Sequence, residues 1–169
     1  MQTYIALLRA VNVGGTGKLP MAELRAMCEA AGFTEVRTYI ASGNVVFRSA
    51  LSAARVQAAL EQRLAEYAGK PVGVILRSGA EMARALAAQP FKQAAPNRAV
   101  VIFLDGAPPA DALAAVKHRN GEEIALGERE IYVHYGEGMA DSKLVVPAAK
   151  AGTARNLNTV AKLIEMAGA

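Results

Sequence analysis

The stretch EVRTYIASGNVVFRS, residues 35–49, alternates apolar and polar side chains and is interrupted by Ser42, Gly43 and Asn44. Alternation with a period of two is typical of strands with one buried face. Gly and Asn tolerate the left-handed backbone that tight turns require. The stretch therefore predicts two antiparallel strands joined by a short turn.

The residues on either side of this hairpin complete a known order of elements. TYIALLR, residues 3–9, is a short apolar run that predicts a buried strand. A helix is expected over residues 20–31, and a second between Ser52 and Gly69, where apolar residues recur at helical spacing. PVGVILR, residues 71–77, then predicts another strand. The order βαββαβ is that of a ferredoxin-like unit.

The pattern begins again in the second half of the chain. SGAE, residues 78–81, has the spacing of a capping box and predicts a short helix that ends before Pro90. RAVVIFL (98–104) predicts a strand, and PPADALAAVKH (108–118) predicts a helix with Leu113 and Val116 facing inward. Residues 122–135 predict a hairpin that turns at Gly127. LNTVAKLIEMA (157–167) predicts a last helix. Residues 136–156 have no clear periodicity.

The predicted fold class is therefore α+β, with two ferredoxin-like halves, mixed and mostly antiparallel sheets, and helices packed on one face. We place the first half at residues 1–78 and the second, which includes the C-terminal helix, at residues 79–169. A single core shared by the two halves is left open.

Composition excludes several functional classes. The chain has 169 residues, of which 53% are hydrophobic and 20% charged, and this balance is typical of a globular protein. No apolar stretch is long enough for a membrane span and no secretory signal is visible, so we expect a cytoplasmic protein with no membrane partner. One cysteine and two histidines give no metal-ligand spacing, and no cofactor is indicated. Cys28 lies on an apolar helix face and is expected to be a core thiol.

The glycine-rich segment AVNVGGTGKLP, residues 10–20, resembles a phosphate loop but meets neither common signature. Leu19 and Pro20 follow Lys18, where a Walker loop needs a hydroxyl ligand for magnesium, and Pro20 also replaces the third glycine of a dinucleotide fingerprint. What remains is a flexible loop before a helix whose positive end can receive an anion. The alternative is an ordinary turn with a solvated lysine.

Arg155 directly precedes the last helix, where a cation opposes the helix dipole. Asn156 is suited to cap that helix. The guanidinium therefore either extends into water or is held by an anion or carboxylate.

Other candidate residues are weaker. Glu122 and Glu123 at a strand start and Glu128 in a turn are interpreted as solvated, and no acid–base pair has a catalytic spacing. His134 is assigned to a sheet surface, and Ser42 lacks a nucleophile elbow. Exposed aromatics of a ferredoxin-like sheet can stack RNA bases, yet no RNA-binding motif is present, so nucleic-acid binding has no motif support.

The segments ALLRAVNVGG, TYIASGNVVF, SKL and TARNLNTVAKL resemble the motifs of the bacterial family called domain of unknown function 1697. The resemblance runs from residue 3 to about residue 165. It implies a compact α/β fold with ferredoxin-like halves, and it supplies no function, because that family is uncharacterised. The family's polar motif residues fall on Arg9, Asn12, Gly14, Gly15, Lys18, Ser42, Gly43, Asn44, Ser142, Lys143, Thr153, Arg155, Asn156 and Asn158. Leu157 stands where the family usually has tryptophan, which either contacts a ligand or fills core.

Together these observations predict a protein that binds a small anionic ligand or nucleotide through a phosphate or carboxylate group, where loop 12–18, turn 42–44 and segment 153–158 converge. The ligand-binding residues expected are Arg9, Asn12, Gly14, Gly15, Lys18, Ser42, Gly43, Asn44, Arg155 and Asn156. The alternatives are an enzyme acting on a phosphorylated small molecule or nucleotide, and a protein- or RNA-binding module without a small ligand. The sequence indicates neither catalytic residues nor an oligomeric state.

Overall fold

A computed structural model describes residues 1–9, 18–40, 42–136 and 141–168. Its strands are β1 (Gln2–Leu8), β2 (Thr34–Tyr39), β3 (Asn44–Ser49), β4 (Val74–Ser78), β5 (Ala99–Phe103), β6 (Glu123–Leu126), β7 (Glu130–His134) and β8 (Thr153–Asn156). Its helices are α1 (Met21–Ala30), α2 (Ala53–Ala68), α3 (Gly79–Ala88) and α4 (Leu157–Ala167). The chain divides into a first unit, Met1–Glu81 with Leu163–Ala169, and a second unit, Met82–Lys162.

The first unit is built on a four-stranded sheet with the strand order β2-β3-β1-β4. β1 pairs antiparallel with both β3 and β4, and β2 pairs antiparallel with β3. With α1 and α2 inserted after β1 and β3, this is the ferredoxin-like order that the sequence predicts. The predicted hairpin around residues 35–49 is confirmed.

Helices α1 and α2 cover the same face of the first unit's sheet. Leu24 and Cys28 of α1 and Leu60 and Leu64 of α2 are buried in one apolar cluster with Tyr4 and other residues of the sheet. Burial raises the pKa of the Cys28 thiol to about 12, so the thiol stays protonated and the core-thiol prediction is confirmed. This cluster holds α1 and α2 against the sheet.

The second unit repeats the sheet but not the helices. Its strand order, β6-β7-β5-β8, is the same as that of the first sheet, again with only antiparallel pairs among the described strands. β8 lies in the region to which the sequence assigns no element, and its backbone pairs with the apolar strand β5. The expectation of two ferredoxin-like α+β halves is confirmed at the level of fold.

The helix predicted at residues 108–118 is wrong. Only a four-residue 3₁₀ turn, Ala112–Ala115, forms there, and Leu113 is 44% exposed instead of facing inward. An isolated helix of this length is marginal in water unless an apolar face is buried. Here the backbone of Lys117 forms two 2.9 Å hydrogen bonds with Val145, which end helical bonding. The sheet face is covered instead by irregular chain and a 3₁₀ turn, Pro147–Ala149, which together include Leu144, Val146, Ala148 and Ala149.

The capping box predicted at residues 78–81 is confirmed. The backbone N–H of Glu81 donates to Ser78 Oγ at 3.1 Å, and the backbone N–H of Ser78 donates to Glu81 Oε1 at 2.8 Å. These reciprocal bonds start α3 directly at the end of β4.

The core of the first unit supplies a test of the fold. Phe47 is fully buried, with its ring 4.4 Å from that of Phe33 and 6.0 Å from that of Tyr4. Phe47→Ala is expected to lower the free energy of unfolding by about 3–5 kcal/mol, because it removes these contacts and leaves a cavity. Tyr67 is 48% exposed, and Tyr67→Ala is the control, with an expected change within about 0.5 kcal/mol. Urea unfolding followed by circular dichroism measures both, and equal losses would contradict the described core.

Candidate functional site

The end of β1 is held between two other segments of the first unit. The backbone N–H of Leu8 donates to the carbonyl of Gly43 at 2.9 Å, and that of Arg9 donates to the carbonyl of Gly73 at 2.9 Å. A side chain at position 73 would displace the side chain of Arg9, because a Cβ there would lie 2.9 Å from its Cδ. The predicted residues Arg9 and Gly43 are therefore brought together, and Gly73, which the sequence analysis missed, makes room for the arginine.

The turn between β2 and β3 is organised by Asn44. This side chain is fully buried, and its Nδ2 donates to the carbonyl of Tyr39 and to Ser42 Oγ, each at 2.9 Å. Gly43 has a φ of 90° and Ile40 a φ of 49°. The left-handed conformation is costly for a β-branched residue such as Ile40. The amide of Asn44 thus stabilises the turn from within.

The glycine-rich segment itself lies largely outside the described residues, and so do the predicted site residues Asn12, Gly14 and Gly15. Lys18 is exposed just before α1. Pro20 occupies the N-cap position of α1 and contributes no side-chain cap. The described ends of the segment therefore each carry one of the predicted cations, Arg9 and Lys18.

The predicted residues of the second unit lie on β8 and at the start of α4. Arg155 is 7% exposed, and its Nη1 donates to Thr153 Oγ1 at 2.6 Å and to the carbonyl of Ala154 at 2.9 Å. Burial lowers the pKa of its guanidinium to about 10, which still leaves it charged at neutral pH. The alternative in which this side chain extends into water is therefore wrong.

Asn156 caps α4 as the sequence predicts. Its Oδ1 accepts a 2.9 Å hydrogen bond from the backbone N–H of Thr159, three residues further along the chain. Leu157 is 8% exposed. Its burial favours the interpretation in which the residue at position 157 fills core.

A polar cluster that the sequence analysis missed is centred on Glu122. This residue, interpreted above as solvated, is 4% exposed. Its Oε2 accepts a 2.6 Å hydrogen bond from Ser142 Oγ, and its Oε1 accepts one from the backbone N–H of Asn120. The hydrogen bond from Ser142 is the largest cause that holds the pKa of the Glu122 carboxyl below its ordinary value, followed by the bond from Asn120. The carboxylate is thus fixed and charged.

Glu122 borders a pocket of about 760 Å³ in the second unit, which we call the Glu122 pocket. It is lined by residues 118–122, 135, 136 and 141–143. Burial, and then the charge of Glu122, raise the pKa of the Tyr135 phenol in this lining. Ser142 and Lys143, two of the motif residues implied by the family resemblance, are also in it. The SKL motif is a sequence signal for this pocket, but no pattern in the sequence links that motif to Glu122.

His134 lies at the end of β7, paired in register with Glu123 of β6. Its Nδ1 is 3.0 Å from Glu123 Oε1, and its ring is 5.7 Å from that of Phe91.

Across the described ranges, no group of three or more His, Cys, Asp and Glu residues is arranged to hold a metal ion. The helices in the same part of the chain include none that is long and apolar enough to cross a membrane.

Comparison with known proteins places this geometry in a family. The model of a family described as "Protein of unknown function (DUF1697)" matches residues 1–132. The chain belongs to that family. Its fold is similar to the solved structure of the conserved bacterial protein SP0830 from Streptococcus pneumoniae, with a TM-score of 0.79, 26% sequence identity and 98% of each chain covered. No curated protein matches the chain.

The turn at residues 40–44 can be tested through Asn44. Asn44→Asp is expected to lower the free energy of unfolding by about 1–3 kcal/mol, because a carboxylate oxygen replaces the amide group that donates to Tyr39 and Ser42. Ser42→Ala, which keeps the bond to Tyr39, is expected to cost less. Urea unfolding at pH 7 measures both, and an Asn44→Asp variant as stable as the wild type would contradict this role for the amide.

The bond between Ser142 and Glu122 predicts a pH dependence. Because the pKa of the folded Glu122 carboxyl lies below its ordinary value of 4.5, this group stabilises the fold above pH 4.5, and that contribution is lost as the pH falls through the folded pKa. Ser142→Ala removes the largest cause of the shift. The wild type is therefore expected to exceed the variant in stability most at pH 7 and progressively less below pH 4.5. Urea titrations from pH 7 to pH 3 measure the difference, and a difference independent of pH would exclude this linkage.

Proposed function

We propose that this protein binds a small ligand through a phosphate or carboxylate group, at a site of the first unit that includes Arg9, Lys18 and the turn 42–44. The observation that carries the proposal is the packing of Arg9 at the end of β1. Its backbone is bonded to Gly73 and adjoins Gly43, and its side chain lies against the Cα of Gly73. A guanidinium held in this way loses little conformational freedom when it binds an oxyanion, and its planar donors match carboxylate and phosphate oxygens.

The chain between the two cations supports the same ligand class. Three of its residues, Gly14, Gly15 and Gly17, lack a Cβ that would keep a ligand away from the backbone. Lys18 precedes α1, and a helix that begins without a side-chain cap has N–H groups and a dipole that favour an anion. Asn12, Gly14 and Gly15 remain proposed contacts on this basis, and Ser42, Gly43 and Asn44 remain proposed contacts because the carbonyl of Gly43 accepts from Leu8, next to Arg9.

Within the second unit by itself, Arg155 and Asn156 remain proposed contacts for an anionic group. Arg155 is a buried cation with hydrogen bonds to neutral oxygens of Thr153 and Ala154. The planar donors of a guanidinium match the oxygens of carboxylate and phosphate groups. The cap made by Asn156 uses its side-chain oxygen, so a ligand contact would come from its amide nitrogen.

Thermal unfolding in the presence of pyrophosphate, citrate or a short oligouridine tests this proposal. A ligand present at about 100 times its dissociation constant stabilises the fold by about 2.7 kcal/mol. We expect one of the two small anions to raise the Tm of the wild type, and Arg9→Gln and Lys18→Gln each to lose most of that increase. Arg25→Gln is the matched control, since it removes one exposed charge whose ion pair is with Glu29 on the same helix, α1.

Two results would overturn the proposal. The first is the absence of a Tm increase with either small anion. The second is an equal increase in the wild type and in the Arg9, Lys18 and Arg25 variants. If the first result is found together with stabilisation by the oligouridine, it favours the nucleic-acid-binding alternative.

A further inference from the structure

We propose that the Glu122 pocket is a second binding site, for a small organic anion that also carries hydroxyl groups. This site lies wholly in the second unit and does not depend on the proposed site at Arg9. Its lining combines exposed cations with a fixed carboxylate. A ligand that contacts both must carry an anionic group for the cations and hydrogen-bond donors for the carboxylate.

The cationic side of the pocket is formed by Arg119 and Lys143, and His118 also lines the pocket. Arg119 uses its Nε to donate to the backbone carbonyl of Glu122 at 2.6 Å, which orients the guanidinium and leaves its two Nη groups for another acceptor. Lys143 has no hydrogen bond or ion pair to any residue in the described ranges. Two exposed cations at one pocket favour an anionic oxygen group on the ligand.

The acceptor side is formed by Glu122 and Asp141. The Glu122 carboxylate accepts hydrogen bonds from Ser142, from the backbone of Asn120 and from its own backbone, and a carboxylate has about four lone-pair sites, so it can accept a further bond. An anionic ligand can approach these carboxylates only through groups that donate, and hydroxyl groups do so without adding charge. The volume of about 760 Å³ is within the range of small-molecule sites and leaves room for an organic body beyond a single phosphate ion.

Hydrogen bonds fix the two chain segments that line this pocket. Lys117 and Val145 exchange two backbone hydrogen bonds of 2.9 Å, and Ser142 Oγ accepts a 3.3 Å bond from the N–H of Leu144 while it donates to Glu122. His118 has a φ of 58°, a left-handed conformation that is uncommon for a non-glycine residue. The cations and the carboxylate are thus carried by chain segments that these hydrogen bonds hold in place.

Amide NMR titration of the full chain tests the proposal, with ribose 5-phosphate and gluconate as the probes. Gly121 and Gly136 report on this pocket, and Gly43 and Gly73 report on the site proposed in the first unit. We expect one of the probes to shift Gly121 and Gly136 saturably, with an affinity at least about tenfold higher than that of inorganic phosphate or of ribose alone, a difference of about 1.4 kcal/mol. A phosphate group and a carboxylate group are distinguished by which of the two probes binds.

Matched variants assign the binding to the named side chains. Lys143→Gln and Arg119→Gln are each expected to weaken binding about tenfold, whereas Lys117→Gln, which removes a neighbouring charge outside the lining, and Arg9→Gln are expected to leave it unchanged. The proposal is overturned if neither probe gives saturable shifts at Gly121 and Gly136, or if phosphate or ribose alone binds as well as the probe. It is also overturned if Lys143→Gln, with a wild-type amide spectrum, binds as tightly as Lys117→Gln.

Discussion

The geometry of each unit depends on a central strand that is bonded on both sides by antiparallel neighbours. β1 lies between β3 and β4, so its C-terminal end must lie beside the N-terminal ends of both. That constraint brings Arg9, Gly43 and Gly73 to one end of the sheet, although they are far apart in the sequence. β5 obeys the same rule, and the N–H of Leu104 bonds to the carbonyl of Arg129 just before β7. The candidate cation at Arg9 is thus positioned by strand pairing rather than by its own loop.

The two candidate sites use opposite ends of similar sheets. Arg9 follows the end of the central strand β1, whereas the Glu122 pocket forms where β6 begins and β7 ends. In the second unit, extended chain and 3₁₀ turns take the place of the two crossover helices. Such chain exposes more side chains and backbone groups than a packed helix does, and this change allows Ser142 and Lys143 to reach the neighbourhood of Glu122.

Sequence periodicity predicted those elements whose signals are local. The hairpin 35–49, the capping box at 78–81 and the cap at Asn156 each depend on a few adjacent residues, and each is found as predicted. The helix predicted at 108–118 does not form, because its apolar face is too small to stabilise it and the backbone of Lys117 pairs instead with the distant Val145. β8 and the burial of Glu122 were invisible for the same reason, since their partners, β5 and Ser142, are distant in the sequence. Convergence of the predicted loops could not be derived from spacing at all.

The discontinuity of the first unit has a consequence for the order in which the protein acquires its structure during synthesis. Residues 1–81 leave the ribosome first, but the unit also includes residues 163–169. Leu163 is fully buried, and Arg37 Nη2 donates to the carbonyl of Met166. A nascent chain folds from its N-terminus as it emerges. The first unit therefore begins to form before the second yet can be completed only after it, so a ribosome stalled late in translation would hold the unit that carries Arg9 in an unfinished state.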